Sequence, residues 1–111
     1  MENYNSVMNK IQEENADRGY NNQQNGIAFE RKNWNIEKQN SMLSIISSGS
    51  RSPIDVVAIR KDYLLLITCK ENGYLNPSER KEIAKLKAKL PSFCRIQMRY
   101  KEKRKLRKMW L

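Results

Sequence analysis

The chain has 111 residues, with 22 lysines and arginines against 12 aspartates and glutamates, two cysteines and no histidine. That length suits a single domain. The missing histidines exclude zinc fingers, zinc hydrolases and histidine-based triads, and no apolar stretch approaches the ~18 residues of a membrane span. The excess charge is local: residues 80–111 carry 13 basic side chains against Glu82 and Glu102, while residues 1–79 carry 9 basic and 10 acidic ones. Such clustering points to a polyanion, nucleic acid before an anionic membrane surface, with a merely solvated basic face as the alternative. The first 15 residues are polar and Asn-rich, unlike a secretory signal. Cys69 and Cys94 lie in apolar, strand-like runs and read as buried free thiols in a reducing, cytoplasmic compartment.

In chain order, Tyr4, Val7, Met8 and Ile11 recur at helical spacing, so residues 3–17 read as a short amphipathic helix ended by Gly19. Residues 19–26 are a polar loop, and 1–22 form an extension ahead of the main domain over 23–111. Residues 27–39 are a second helix with Ile27, Glu30 and Trp34 on one face. An acid on such a stripe is unusual unless it lies at the edge or has a partner. Residues 41–48 read as a strand, 48–53 as a turn, and 54–59 as an inner strand. Lys61-Asp62 is the expected hairpin tip, and 63–69 the central strand. Asn76 is an N-cap, Pro77 occupies the first helical position and Glu79 closes a capping box. Ile83, Leu86 and Leu90 form the apolar face of that helix, which Pro91 follows. Residues 93–100 alternate, with Cys94, Ile96, Met98 and Tyr100 on one side and Arg95, Gln97 and Arg99 on a basic outer face. Residues 101–105 make a basic turn before a last strand over 106–111. The order predicts an α/β domain: a mixed central β-sheet with helices on both faces.

Strand parity places Leu64, Leu66, Thr68 and Lys70 on one face of the central strand. If 54–59 and 63–69 pair through the tip at Lys61-Asp62, Asp55 and Lys70 meet at one edge of the sheet. A carboxylate and an ammonium at the ends of two buried strands are either a structural ion pair or part of an active site. For phosphodiester hydrolysis, Asp55 would be a hard oxygen ligand for Mg²⁺, and Lys70 would stabilise developing negative charge or orient the attacking water.

Four segments, GIAFER at 26–31, SGSRSPIDVVAI at 48–59, LLLITCK at 64–70 and NPSER at 76–80, together resemble the PD-(D/E)xK nuclease superfamily. The resemblance is greatest to archaeal and viral Holliday junction resolvases and their small phage-type relatives. It covers residues 24–111 and implies a restriction-endonuclease-like fold. It also implies a homodimer that cuts branched DNA with Mg²⁺ or Mn²⁺, and an archaeal or viral origin. By that resemblance Glu30 is the helix-borne acid that helps bind metal, Asp55 the core metal ligand and Lys70 the motif lysine. The carbonyl of Cys69 would face the metal. Arg31, Lys32, Arg51 and Ser52 would meet DNA near the site, and Arg95, Arg99, Lys101, Lys103, Arg104 and Lys105 would track backbone further out, through phosphates.

The departure from the pattern is Thr68, at the position where the family carries a carboxylate in its metal-binding set. Thr offers only a neutral oxygen there. Glu79 is a possible substitute carboxylate, beside its role in the capping box; otherwise Glu30 and Asp55 suffice with a weaker metal site. Two other readings follow: a catalytically weakened or inactive DNA-binding protein on the same fold, and a small basic RNA-binding protein.

Overall fold

The computed structural model describes residues 26–47 and 52–111. The expected helix over 3–17, nearly all of the loop over 19–26, the boundary near residue 22, and Arg51 with most of its turn lie outside the described residues. Among the described residues the first helix, α1, covers 26–40, taking in the expected 27–39 and running one residue past its end. Five strands follow: β1 (Leu43–Ile46), β2 (Val56–Ile59), β3 (Leu64–Cys69), β4 (Cys94–Glu102) and β5 (Lys105–Trp110). A second helix, α2 (Pro77–Lys89), connects β3 to β4.

The strands form one sheet in chain order, β1-β2-β3-β4-β5. All neighbours are antiparallel except β3 and β4, which run parallel. Parallel neighbours need a long crossover, and α2 supplies it. The β2–β3 register pairs Ile59 with Leu64, and the Arg60 amide donates to the Tyr63 carbonyl at 2.9 Å. The tip is therefore Lys61-Asp62, as the sequence indicates. The α2 signals also hold. Asn76 accepts from the Glu79 amide at 2.8 Å, and the Glu79 side chain returns to the Asn76 amide at 3.3 Å. Between β3 and α2 the Gly73 amide donates to the Lys70 carbonyl, and Gly73 adopts φ 73°. A Cβ there would also come within 3.1 Å of the Tyr100 ring, so both conformation and space favour glycine.

The sheet is covered on both faces by the two helices, and the core is split accordingly. On the α2 side Ile54, Leu66, Leu75, Ile83, Ile96 and Met98 are buried, with Leu86 and Leu90 packed against them. On the α1 side Val56, Ala58, Leu65 and Ile67 are buried, with Trp34 against them. Among the described residues no helix is long and apolar enough to cross a membrane. Cys69 and Cys94 are free and half-buried.

Two expectations fail on the α1 side. The face of β4 carrying Gln97 and Arg99 is not an outer one: Gln97 is 5% exposed and Arg99 1%. Nor does the stripe of Ile27, Glu30 and Trp34 mark the deepest face of α1. Those three are half-buried, while Phe29, Asn33 and Glu37 are buried. The reason is one buried ionic cluster. Glu37 accepts from both Arg60 (2.8 and 2.7 Å) and Arg99, and from the Ser41 hydroxyl at 2.7 Å. Arg99 also donates to Gln97 at 2.9 Å. Burial works against the Glu37 charge, but the hydrogen bonds from Arg60, Ser41 and Arg99 outweigh it and hold the carboxyl below its ordinary range. Arg99 is thus a neutralised core residue rather than a phosphate contact.

Removing one partner of a buried ion cluster leaves the other charges uncompensated. Glu37→Ala should lose about 3–5 kcal/mol of unfolding free energy in urea titrations with an unchanged m-value, whereas Asn76→Ala, which loses only a cap, should lose about 1 kcal/mol.

Candidate functional site

The chain leaves the buried centre of the sheet at the C-terminal end of β3. There it passes from Cys69 to Lys70, turns at Gly73 and enters α2. Asp55, just before β2, lies across from that point. Extending the β2–β3 register by one residue sets it opposite Thr68, and its carboxylate accepts from the Cys69 amide at 2.7 Å. Asp55 is 9% exposed. Glu30 approaches from α1 and is hydrogen-bonded to Asp55. Lys70 forms an ion pair with Glu79 from the first turn of α2. Glu79 therefore does two things, one oxygen closing the capping box and the other meeting Lys70.

These groups line a cleft of ≈ 380 Å³, together with Ser52, Pro53, Cys69 and Glu82. Four carboxylates face one ammonium, and the electrostatics follow. Burial and then the Asp55 charge and hydrogen bond push the Glu30 carboxyl up to about 7, against a smaller pull from Lys70. Burial also raises Asp55, opposed by the Cys69 amide, Lys70 and the Glu30 hydrogen bond. Burial and the two carboxylates push the Cys69 thiol up, so it stays protonated and is no thiolate ligand.

The sequence-derived site residues separate into three groups. Glu30, Asp55, Cys69, Lys70 and the substitute carboxylate Glu79 come together, with Ser52 at the rim. Glu82, one helical turn beyond Glu79, was not singled out from sequence, although its spacing places it beside Glu79. Thr68 does not line the cleft. It is fully buried and its hydroxyl has no hydrogen-bond partner, because its position points it into the packed sheet rather than to the rim.

The third group is the basic set. Arg31 and Lys32 are exposed on α1, and Arg95 is exposed on β4. Lys101 is ion-paired to Glu71 at 3.2 Å. Lys103 and Arg104 form the two-residue turn between β4 and β5, with φ 50° and 66°. The expected turn over 101–105 is therefore shorter, since β4 runs on to Glu102 and β5 starts at Lys105. A turn with two positive φ values favours Asn-Gly, so two cations at its tip are there at a conformational cost. Arg99 belongs to the core and Arg51 lies outside the described residues.

Whether a divalent cation fits can be judged from the donors. Among the described residues no three acidic or cysteine side chains converge tightly enough to hold an ion by side chains alone. Glu30 and Asp55, however, are two carboxyl groups lining one cleft, both raised by burial and coupled to each other. That is the donor set a hard cation with retained waters accepts, and Mg²⁺ commonly uses one or two carboxylates. The residues fit such an ion as an open site.

Comparison with protein-family models, with curated proteins and with solved structures finds no match to this chain.

The raised Glu30 carboxyl makes stability depend on pH. Glu30 binds a proton in the folded chain up to about 7, well above its range in an unfolded chain, so between those values the folded state holds more protons and raising the pH lowers stability. In chelator, the urea midpoint should be higher at pH 5 than at pH 8. Glu30→Gln should flatten that slope, and Mg²⁺ at pH 8 should restore the wild-type midpoint; a slope unchanged in Glu30→Gln would remove Glu30 as its source.

Proposed function

We propose that the chain is a metal-dependent endodeoxyribonuclease of the restriction-endonuclease-like kind, selective for branched DNA in the manner of Holliday junction resolvases. One observation carries the reading: Glu30, Asp55, Lys70 and Glu79, from two helices and two strand ends, meet in a single cleft at the rim of a mixed sheet. Asp55 precedes β2 and Lys70 follows its antiparallel neighbour β3, and the helix-borne Glu30 joins them.

Glu30 and Asp55 would hold Mg²⁺ or Mn²⁺, which when bound supplies Lewis-acid polarisation of a phosphoryl oxygen. The rest is done by the chain. The Cys69 amide fixes the Asp55 carboxylate. Lys70, 30% exposed in its side chain, presents an ammonium to the charge that develops on phosphate as water attacks and the sugar oxygen departs. Glu79 holds that ammonium and brings to the cleft the carboxylate that Thr68 lacks. The cations of Arg31, Lys32, Arg104 and the β5 strand supply the sequence-independent attraction to a phosphate backbone. The two cations at the strained β4–β5 turn support a polyanionic partner, since the backbone alone would favour other residues there. A second copy of the chain would set two such clefts across one junction.

The weaker-site alternative, a DNA-binding protein without catalysis, draws on the buried Thr68. Cleavage of labelled four-way junctions and plain duplex in Mg²⁺ or Mn²⁺ decides between them. The wild type should cut junctions. Asp55→Asn and Lys70→Ala should each lose about 10²-fold or more, and Glu79→Gln about tenfold or more. Asn76→Ala, which breaks the same capping box, should keep its rate. Salt-sensitive junction binding with no cutting of any DNA would leave only the binding protein, and tighter binding of RNA than of junction DNA would favour the RNA-binding reading.

A further inference from the structure

The helix α2 does not cover the whole of its side of the sheet. Alternation along β5 sends Met109 and Leu111 to the α2 face and Trp110 to the opposite one. The register sets Met109 across from Met98, a member of the α2-side core. Trp110 instead meets Tyr63 edge-on on the α1 side, with ring centroids 6.3 Å apart, and the Arg95 guanidinium lies over the same Tyr63 ring. Between α2 and β5 a groove of ≈ 440 Å³ stays open. Leu75, Ile83 and Met98, all buried in the core, form its floor, and Ala84 and Met109 stand exposed along its two sides.

The groove is apolar, and its charges have one sign. Arg80 and Lys87 border it and no acidic residue does. The Arg80 Nε donates to the Leu75 carbonyl at 3.0 Å, which ties its side chain to the groove. Lys87 belongs to the last turn of α2. Among the described residues neither cation forms an ion pair. They are seven residues apart, so they share one side of α2 at a separation of about 10 Å. A second copy of the chain would bring its own basic surface to these cations, since residues 80–111 carry 13 basic side chains against two acidic ones. A nucleic acid would satisfy the cations, but no aromatic side chain lines the groove to stack on a base. Two methionines in the lining adapt readily to apolar side chains of differing shape. A helix laid along α2 matches both features, with acids two turns apart and apolar residues between them on the same face.

We propose that the groove between α2 and β5 receives an acidic amphipathic helix of a partner protein, its carboxylates on Arg80 and Lys87 and its apolar side chains against Met98 and Met109. The groove shares no lining residue with the acidic cleft, so the proposal stands apart from the nuclease reading. It gives the chain a protein-docking surface beside whatever the cleft acts on.

The test is fluorescence anisotropy of three labelled helical peptides with the full chain. The first carries two glutamates seven positions apart, with leucines at the third and fourth positions after the first of them. The second has serines for the leucines, and the third has lysines for the glutamates. The first peptide should bind, and the second should bind about tenfold or more weakly, because it leaves the floor of the groove uncovered. Ala84→Glu places an acid at an exposed position of α2 on the groove's side. It should weaken the first peptide about tenfold or more, with an unchanged urea midpoint to show that the fold is intact. Arg80→Glu combined with Lys87→Glu should reject the first peptide and accept the third, an exchange that a diffuse basic surface would not produce. No binding of the first peptide, equal binding of the first and second, wild-type affinity in Ala84→Glu, or no exchange in the double variant would each overturn the proposal. Self-association in sedimentation equilibrium that Ala84→Glu abolishes would assign the groove to a second copy and overturn it too.

Discussion

The placement of α1 depends on one carboxylate. Glu37 is fully buried and is met from the sheet by Arg60, just past the end of β2, and by Arg99 in β4. A buried ion cluster is poor evidence for added stability, since burying three charges costs much of what their attraction returns. It is, however, sensitive to geometry, and here it fixes the rotation of α1. Glu30 lies seven residues earlier, two helical turns away on nearly the same face. Once Glu37 is locked between two guanidinium groups, Glu30 is directed at the end of β3 and can reach Asp55. The Trp34 indole bond to the Ser44 carbonyl at 3.2 Å adds a second fixed point between them.

The same cluster carries a residue of positive charge. Two arginines face one carboxylate, and Lys108 is also close. Burial first, and then Arg99 and Arg60, hold its ammonium below the ordinary lysine range, against the pull of Glu37. At the cleft the imbalance has the opposite sign, with four carboxylates around Lys70. The molecule therefore separates its charges, acid gathered at one rim of the sheet and base spread over α2, β4 and β5. A polyanion would be held by the basic surface and repelled by the acidic cleft unless a cation occupied it. On the proposed reading, a divalent ion would be a condition for substrate approach as well as for chemistry.

Thr68 is a neutral residue at the position where the proposed reading expects a carboxylate. The position opposite Asp55 is sealed in the sheet, and its hydroxyl has no partner. Negative charge beside Lys70 is supplied by Glu79 and Glu82 on α2, which line the same cleft. Glu79 forms an ion pair with Lys70. It joins the lysine to the helix that follows it, through the Glu79 oxygen that the capping box leaves free.

Local signals carried much of the architecture. The apolar run of β3, the tip at Lys61-Asp62 and the Asn76 capping box are short-range matters of burial, turn chemistry and orphan amide donors, and each reads directly from neighbouring residues. Period-two parity across one hairpin was enough to bring Asp55 and Lys70 to the same edge. The roles of Glu37 and Arg99 were not legible, because patterns of polarity assign charged residues to solvent, and only a partner distant in the chain makes their burial tolerable. Neither the sealing of Thr68 nor the meeting of Tyr63, Arg95 and Trp110 could be read locally, since each depends on which strands become neighbours. The sequence by itself determined the elements and the acid–amine edge, because those follow from backbone periodicity. The tertiary structure alone decided which charges are neutralised inside and which are left facing a ligand, because electrostatic pairing acts through space between segments that chain order does not relate.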